Sequence, residues 1–581
     1  MTTKKRHISS SNIIQLLVSI LVIILVNILG SHFFTRLDLT SEKRYTLSPS
    51  TREMLRELDD IVYFRVYLEG DFPAGFQRLR NSTREMLDEF RAFSDNIQYE
   101  FINPNRSDQP ADRIALHEEL MHSGLIPTDV FETTAEGRRQ QMIFPGAIVN
   151  YKQRQLPVQF LASAPGNNPD LALNRSIEQL EYNIASAIRR LTTTERRTIA
   201  FIKGHGELPP LLTAGARQVL SEYYTVEYTA IDGQLNSLAN RVEVDTAEFR
   251  ITNRFDAIII AKPEHTFSER DKFLIDQYIM RGGKVLWFID PVLATMDSLK
   301  NADQTVGISL DLNLADQLFR YGVRLNSNLV MDINALPIPV ITGRTGNQPQ
   351  HSFLPWYFFP LLKAGSDHPI VSDLDLVLGQ FVSSIEPVQT PDVEATVLLT
   401  TSQYSRALTS PVLISLEVMR DEPDKNLFIH GNLPVAVLLE GRFQSLYSNR
   451  IPPQIAGHAG IGFLEESMPT SMIVVADGDM IRNQLGLSQG NPLPLGLDQF
   501  TRQSFANSDF LLNAVNYLTY DPGLIAVRNR EVRLRLLDPV KTREAKLELQ
   551  LANTILPIAL VVIAGLVFEL TRRARYTGRR K

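Results

Sequence analysis

The chain has no cysteine, which removes disulfides, thiolate metal sites, iron-sulfur clusters and any cysteine nucleophile. It also lacks every phosphate-cradling glycine signature: there is no GxGxxG, and at Gly283-Lys284 the position five residues before Gly283, where a phosphate loop needs its first glycine, is Tyr278. The protein is therefore not itself a phosphate-loop ATPase. No GxSxG is present, so the strand-to-helix elbow that arms many serine hydrolases is missing. The nearest approach to a zinc-protease motif is His117-Glu118-Glu119-Leu120-Met121-His122. There the histidines stand five apart rather than four, which turns the second about 100° off the shared helix face. The stretch reads as a solvated helix face, and neither a metal nor a cofactor is expected.

Charge is missing from Ser9 to Ser31, 23 residues without Asp, Glu, Lys or Arg. As a helix they would span roughly 34 Å, enough for a bilayer core of about 30 Å. Asn27 to His32 matches an Ala-x-Ala cleavage site poorly, which favours an uncleaved anchor over a signal peptide. A second apolar stretch, residues 549–568, is followed by Arg572, Arg573, Arg575, Arg579, Arg580 and Lys581. Basic flanks stay on the cytoplasmic side, so both basic tails, 1–8 and 569–581, are expected in the cytoplasm. Two passes through the inner membrane then leave a large domain in the periplasm. With +3 on the first tail and +5 on the last, the remaining chain carries −14 of the total −6. Such a body has no bulk electrostatic reason to bind nucleic acid.

At 581 residues the chain exceeds what one core supports, and three or more folded units are expected. Residues 36–165 alternate strand and helix patterns and read as a small α/β domain, possible as a thioredoxin-like scaffold without its CxxC pair. Within it, residues 142–160 read as a hairpin of exposed sheet. Residues 171–191 read as a linking helix. Residues 196–530 read as a larger α/β domain with insertions, and 531–548 as an extended membrane-proximal segment. The centre of the larger domain is Phe255 to Pro291: an apolar run (Ala257 to Ala261), a helix with Ser268 as cap and Gly282-Gly283 as stop, and a second run (Val285 to Ile289). Short, non-alternating β-branched runs on either side of a helix describe buried parallel strands. The fold class is α/β, with parallel or mixed sheets in two or more domains between two transmembrane helices.

Three stretches hold the residues that could carry chemistry or contacts. Gly204, His205, Gly206 and Glu207 follow a strand, where ligands bind in open α/β sheets; the alternative is a polar turn. Trp356 and Tyr357 lie in HSFLPWYFFPLL, which reads as a core, a membrane-dipping loop or a partner patch. Asp477 and Asp479 end another strand, where carboxylates cap a turn or hold a cation.

The stretches RYTLSPSTREMLREL, VYLEGDFPAGFQRLRNSTREMLDEF, GHGE, FLIDQYIMRGGKVLWFIDP, LPVAVLLEG, VVADGDMIRN and DFLLNAVNYL together resemble the GldG family, gliding-motility-associated auxiliary proteins of ABC transporters. The central unit is similar to class I glutamine amidotransferase-like, or flavodoxin-like, domains without the cysteine nucleophile. The resemblance implies a non-enzymatic, membrane-anchored scaffold beside a permease on a separate chain and, through it, a cytoplasmic ATPase. Small residues in the second span, Ala559, Ala564 and Gly565, suit helix neighbours as well as membrane lipid and point to a homo-oligomer. Two further functions stand beside this one: polysaccharide or lipoprotein handling through Phe353 to Phe359, and a degenerate hydrolase.

Overall fold

The computed structural model describes residues 18–22, 546–577, and 47–519 apart from 108, 135–136, 162–168, 193–195, 246–247, 300–301, 346–347, 373, 420–421 and 488–489. The chain divides into two compact units, Tyr45–Arg530 and the two termini.

In the larger unit the first layer begins with α1 (Pro49–Arg56), started by Ser48, whose Oγ accepts from the Thr51 amide at 3.1 Å, with Pro49 in the first turn. There follow β1 (Val62–Val66), α2 (Ala74–Phe93), β2 (Ile97–Phe101), α3 (Pro110–His122), β3 (Gly146–Tyr151) and β4 (Arg154–Gln159). The sheet order is β2-β1-β3-β4, with β1 parallel to β2 and antiparallel to β3, and β4 antiparallel to β3. Two expectations need correction. The 142–160 hairpin forms, but only β4 is exposed or half-buried sheet, at every position except Val158: Ala147 and Val149 face the main core while Ile148 joins Leu120, Leu125 and Phe144 in a second one, so β3 is buried on both faces. The stretch 171–191 is not a spacer. It forms α4 (Pro169–Glu178) and α5 (Leu180–Thr192), whose Leu173, Leu180, Ile184 and Ile188 complete the first core. Glu181 ties α5 to α1, accepting from the Ser48 amide at 2.7 Å and Thr51 Oγ1 at 2.9 Å.

The second layer system is built on β5 (Thr198–Lys203), α6 (Ala214–Ser221), β6 (Thr225–Ala230), β7 (Ala257–Ala261), α7 (Glu269–Met280), β8 (Lys284–Phe288), α8 (Ala315–Tyr321) and β9 (Val323–Leu325). Then come β10 (Ala335–Thr345), β11 (Gln348–Ala364), β12 (Ile385–Pro387), β13 (Val393–Thr400), β14 (Pro434–Gly441), β15 (Thr470–Val475) and α9 (Asn507–Thr519). One large sheet runs β10-β11-β13-β14-β15-β8-β7-β5-β6. Its five strands β6, β5, β7, β8 and β15 are mutually parallel, and β14, β13, β11 and β10 extend it antiparallel.

The expected strand, helix, strand unit is present. β7 and β8 pair in register from Ala257↔Lys284 to Ala261↔Phe288; Ser268 caps α7, and Gly282 takes the left-handed φ of 80° beyond its end. Successive residues alternate between two cores. Ile259, Ala261, Leu286 and Phe288 face α6 and α9, while Ile258, Ile260, Val285 and Trp287 face Leu274, Ile275 and Ile279 of α7. Helices on both faces explain why these strands read as unbroken apolar runs.

Residues 546–577 form α10 (Lys546–Thr577), which continues through Pro557. Its segment Asn553–Arg573, 21 residues, is long and apolar enough to cross a membrane. The expected extended segment therefore gives way to helix by residue 546; the rest of 531–545 lies outside the described residues. Of the expected first span, residues 18–22 are helical, and the remainder of 1–46 lies outside the described residues.

Candidate functional site at the strand ends

The parallel strands follow the order 2-1-3-4-5, which reverses between the first strand, β5, and the third, β7. In doubly wound sheets the crevice for a ligand opens at that reversal, beyond the carboxyl ends of the strands. Gly204, His205, Gly206 and Glu207 leave β5 there. Gly204 and Gly206 have φ of 128° and 76°, a backbone that glycine adopts without strain. This tight turn sends His205 inward, where it is 4% exposed.

The His205 ring stacks on Phe267 with centroids 3.7 Å apart. Its Nδ1 is 3.1 Å from Glu207 Oε1 and its Nε2 3.3 Å from Asp271 Oδ2. Asp271 also accepts from Ser268 Oγ at 2.7 Å and from the Gly233 amide at 3.0 Å. Burial by itself lowers an imidazole pKa; the hydrogen bond and charge of Glu207, then those of Asp271, outweigh it, and the net shift of His205 is upward. Burial likewise pushes Glu207 up, but its bonds from the His205 ring and backbone prevail and its net shift is downward. Both ring nitrogens thus face carboxylates, and neither is left to take a proton from a substrate.

The neighbouring strand ends hold a second buried cluster. Lys262 follows β7, Asp290 follows Ile289 after β8, and Asp477 and Asp479 follow β15. Lys262 Nζ is 3.0 Å from Asp290 Oδ2 and also pairs with Asp479. Asp479 is 3.2 Å from Arg482. Asp477 accepts from the amides of Gln380 (2.9 Å), Asp479 (2.9 Å) and Met480 (3.1 Å). Burial lowers the Lys262 pKa, but Asp290 and Asp479 more than reverse this and hold the ammonium above its ordinary range. Among the described residues Asp477 has no ion-pair partner, and its pKa is pushed well up, by burial first and then by Asp290 and Asp479. Lys262 and Arg482 thus both pair with Asp479, and Lys262 also with Asp290.

Gly478 lets this cluster close: a Cβ there would lie 2.6 Å from Lys262 Cγ and 3.1 Å from Asp290 Cγ. The carboxylate of Asp479, one of the two that could have held a cation, is thus taken by Lys262, while that of Asp477 accepts backbone amides. Among the described residues no group of three or more His, Asp or Glu is arranged to hold a metal ion.

The two sequence-selected groups, Gly204 to Glu207 and Asp477 with Asp479, therefore lie on the same edge of one sheet. Trp356 and Tyr357 do not join them. They lie in β11, 0% and 4% exposed, in a separate core with Phe358, Phe359 and Phe381; this part of the stretch is core, and His351 and Phe353, the latter 52% exposed, face outward at its start. Sequence reading missed Lys262, Asp290, Asp271 and Phe267. A signal for two of them existed: Ala261-Lys262, Ile289-Asp290 and Ala476-Asp477 each put a charge directly after a buried parallel strand.

A family model described as an ABC-type uncharacterized transport system matches residues 196–514, and one for a domain of unknown function matches residues 41–150. An uncharacterized protein of Borreliella burgdorferi is 19% identical over 579 residues, covering 98% of this chain and 99% of that protein. Among solved structures, the mmIFT52 N-terminal domain aligns at 13% identity and a TM-score of 0.31, covering 56% of this chain and 98% of its own.

Proposed function

The chain belongs to the ABC-type uncharacterized transport system auxiliary family, and from that premise we propose that it is a non-enzymatic auxiliary subunit, a scaffold anchored in the membrane beside a permease and an ATPase on separate chains. The observation that carries the non-enzymatic part is the closed state of the strand-end site. His205 and Lys262, the basic groups best placed for chemistry, are each held between two carboxylates. They join strand ends instead of facing a crevice.

The apolar segment Asn553–Arg573 supports anchoring, and with the uncharged stretch 9–31 and the basic tails it supports a two-pass topology in the inner membrane with the acidic body in the periplasm. The order β2-β1-β3-β4 with β3 antiparallel to its neighbours supports a thioredoxin-like first domain. The order 2-1-3-4-5 supports an amidotransferase- or flavodoxin-like central one. The resemblance to the GldG family extends the proposal to gliding motility or assembly of surface machinery. The inward-facing Trp356 and Tyr357 leave little ring surface for polysaccharide handling.

Reconstitution tests the role. Adding the full chain to the permease and ATPase in lipid vesicles should change ATP turnover or transport, and identical rates with and without it would remove the auxiliary function.

A further inference from the structure

On the α8 side of the sheet an open groove of about 930 Å³ runs between α8, β9, the segment after β12 and the loop 446–450. Its volume is in the range of ligand-binding clefts. Three arginines line it, Arg320, Arg324 and Arg450, in a body that is otherwise strongly acidic. They are loosely committed: Arg324 is 3.7 Å from Glu386 and Arg450 is 3.8 Å from Asp316, both guanidinium side chains being more than 60% exposed. Arg320 is exposed and has no carboxylate partner among the described residues. Asp316, the acid on the wall, is already neutralised from below by Lys272 at 2.8 Å, whose side chain is fully buried.

Both walls are fixed from behind. Asp276 of α7, fully buried, accepts from Ser445 Oγ at 2.7 Å and the Leu446 amide at 2.9 Å, which fastens the loop that carries Arg450. The same carboxylate accepts from Tyr321 Oη at 2.8 Å, and Gln317 donates to the Lys272 carbonyl at 3.2 Å, which fastens α8. The backbone that carries Arg320 and Arg450 is thereby held in place, while the exposed side chains stay free to turn toward a ligand. Between the arginines the lining is mixed, Gln389, Thr390, Ser448 and Asn449 standing beside an apolar floor of Phe319, 54% exposed, Leu325 and Val388.

We propose that this groove binds an acidic peptide segment of a partner protein, its carboxylates on the guanidinium forks of Arg320, Arg324 and Arg450 and an apolar side chain against Phe319. Guanidinium forks match carboxylates in two-pronged geometry. A small free anion would leave the apolar floor uncovered, whereas a peptide with alternating acidic and apolar side chains satisfies both. The inference is independent of which partner supplies the segment.

The test is selection of displayed random peptides on the full-length protein in detergent micelles, followed by fluorescence anisotropy. Enriched peptides should carry two or more Asp or Glu around a large apolar residue. Replacing their acids with Asn and Gln should weaken binding about ten-fold or more, as should R320E/R324E/R450E, while the variant's melting temperature stays unchanged because these side chains are exposed. The proposal is overturned if no peptide is enriched, if enriched peptides are neutral or basic, or if they bind the triple variant equally well. Equal competition by citrate at the same concentration would assign the groove to small anions and overturn it too.

Discussion

Lys262 Nζ lies 3.0 Å from Asp290 Oδ2, and the residue adopts a left-handed φ of 53° as the chain leaves β7. A non-glycine residue keeps that conformation where its surroundings compensate; here the compensation is the ion pairing with Asp290 and Asp479. Lys262→Met should therefore leave buried carboxylates without their cation and cost about 3–5 kcal/mol. Urea denaturation of the full protein measures it. In a double-mutant cycle with Asp479→Asn the combined loss should be smaller than the two single losses added together; strict additivity would show that the pair is not coupled.

His205 and Glu207 give a pH signature. The folded pKa of His205 is raised, so its contribution is complete below the unfolded value of about 6.5 and disappears as pH rises through the folded one. The folded pKa of Glu207 is lowered, so its contribution is complete above about 4.3 and disappears as pH falls through the folded one. The stability gap between wild type and His205→Gln should thus be widest between about pH 4.5 and 6.5, at about 1.5–3 kcal/mol, and narrow towards pH 9. Melting curves across that range check it, and a gap that does not vary with pH would mean the ring is not charged in the folded state.

Asp276→Ala should release the loop that follows Phe443. Four donors, Ser445 Oγ, the Leu446 amide, Tyr321 Oη and Gln277 Nε2, lose their shared acceptor, a loss of about 2–3 kcal/mol. Amide exchange at Leu446 should accelerate while exchange in β7 and β8 stays slow. Unchanged protection at Leu446 would show that Asp276 does not fasten the loop.

Gly478→Ala isolates a steric effect. The φ of −74° there suits any residue, so the penalty comes from a Cβ placed 2.6 Å from Lys262 Cγ. About 1–3 kcal/mol is expected, and a variant as stable as wild type would indicate that the lysine stem moves aside freely.

The stretch Phe255 to Pro291 could be read because local and tertiary signals agree there: apolar runs buried on both faces, a serine cap, and a glycine stop. The burial of β3 in the 142–160 hairpin and of the 171–191 stretch is not legible in the sequence because it comes from distant partners. Ile148 is covered by Leu120 and Phe144, and Ile184 by residues of the first sheet. The same holds for the site. The Gly204 to Glu207 turn and the Asp477 and Asp479 pair were visible as strand-end residues. Their meaning depends on Asp271, 66 positions from His205, and on Lys262, 217 positions from Asp479; no spacing in the chain announces either pairing. Trp356 and Tyr357 show the converse limit, since an aromatic run has the same sequence whether it packs inward or outward.

The auxiliary role is tested most directly by affinity purification of the full chain from membranes in a mild detergent. A permease and an ATPase recovered with it in fixed proportion is the expected result. Recovery of the chain alone, repeated across detergents and with both partners present in the starting membranes, would contradict the role.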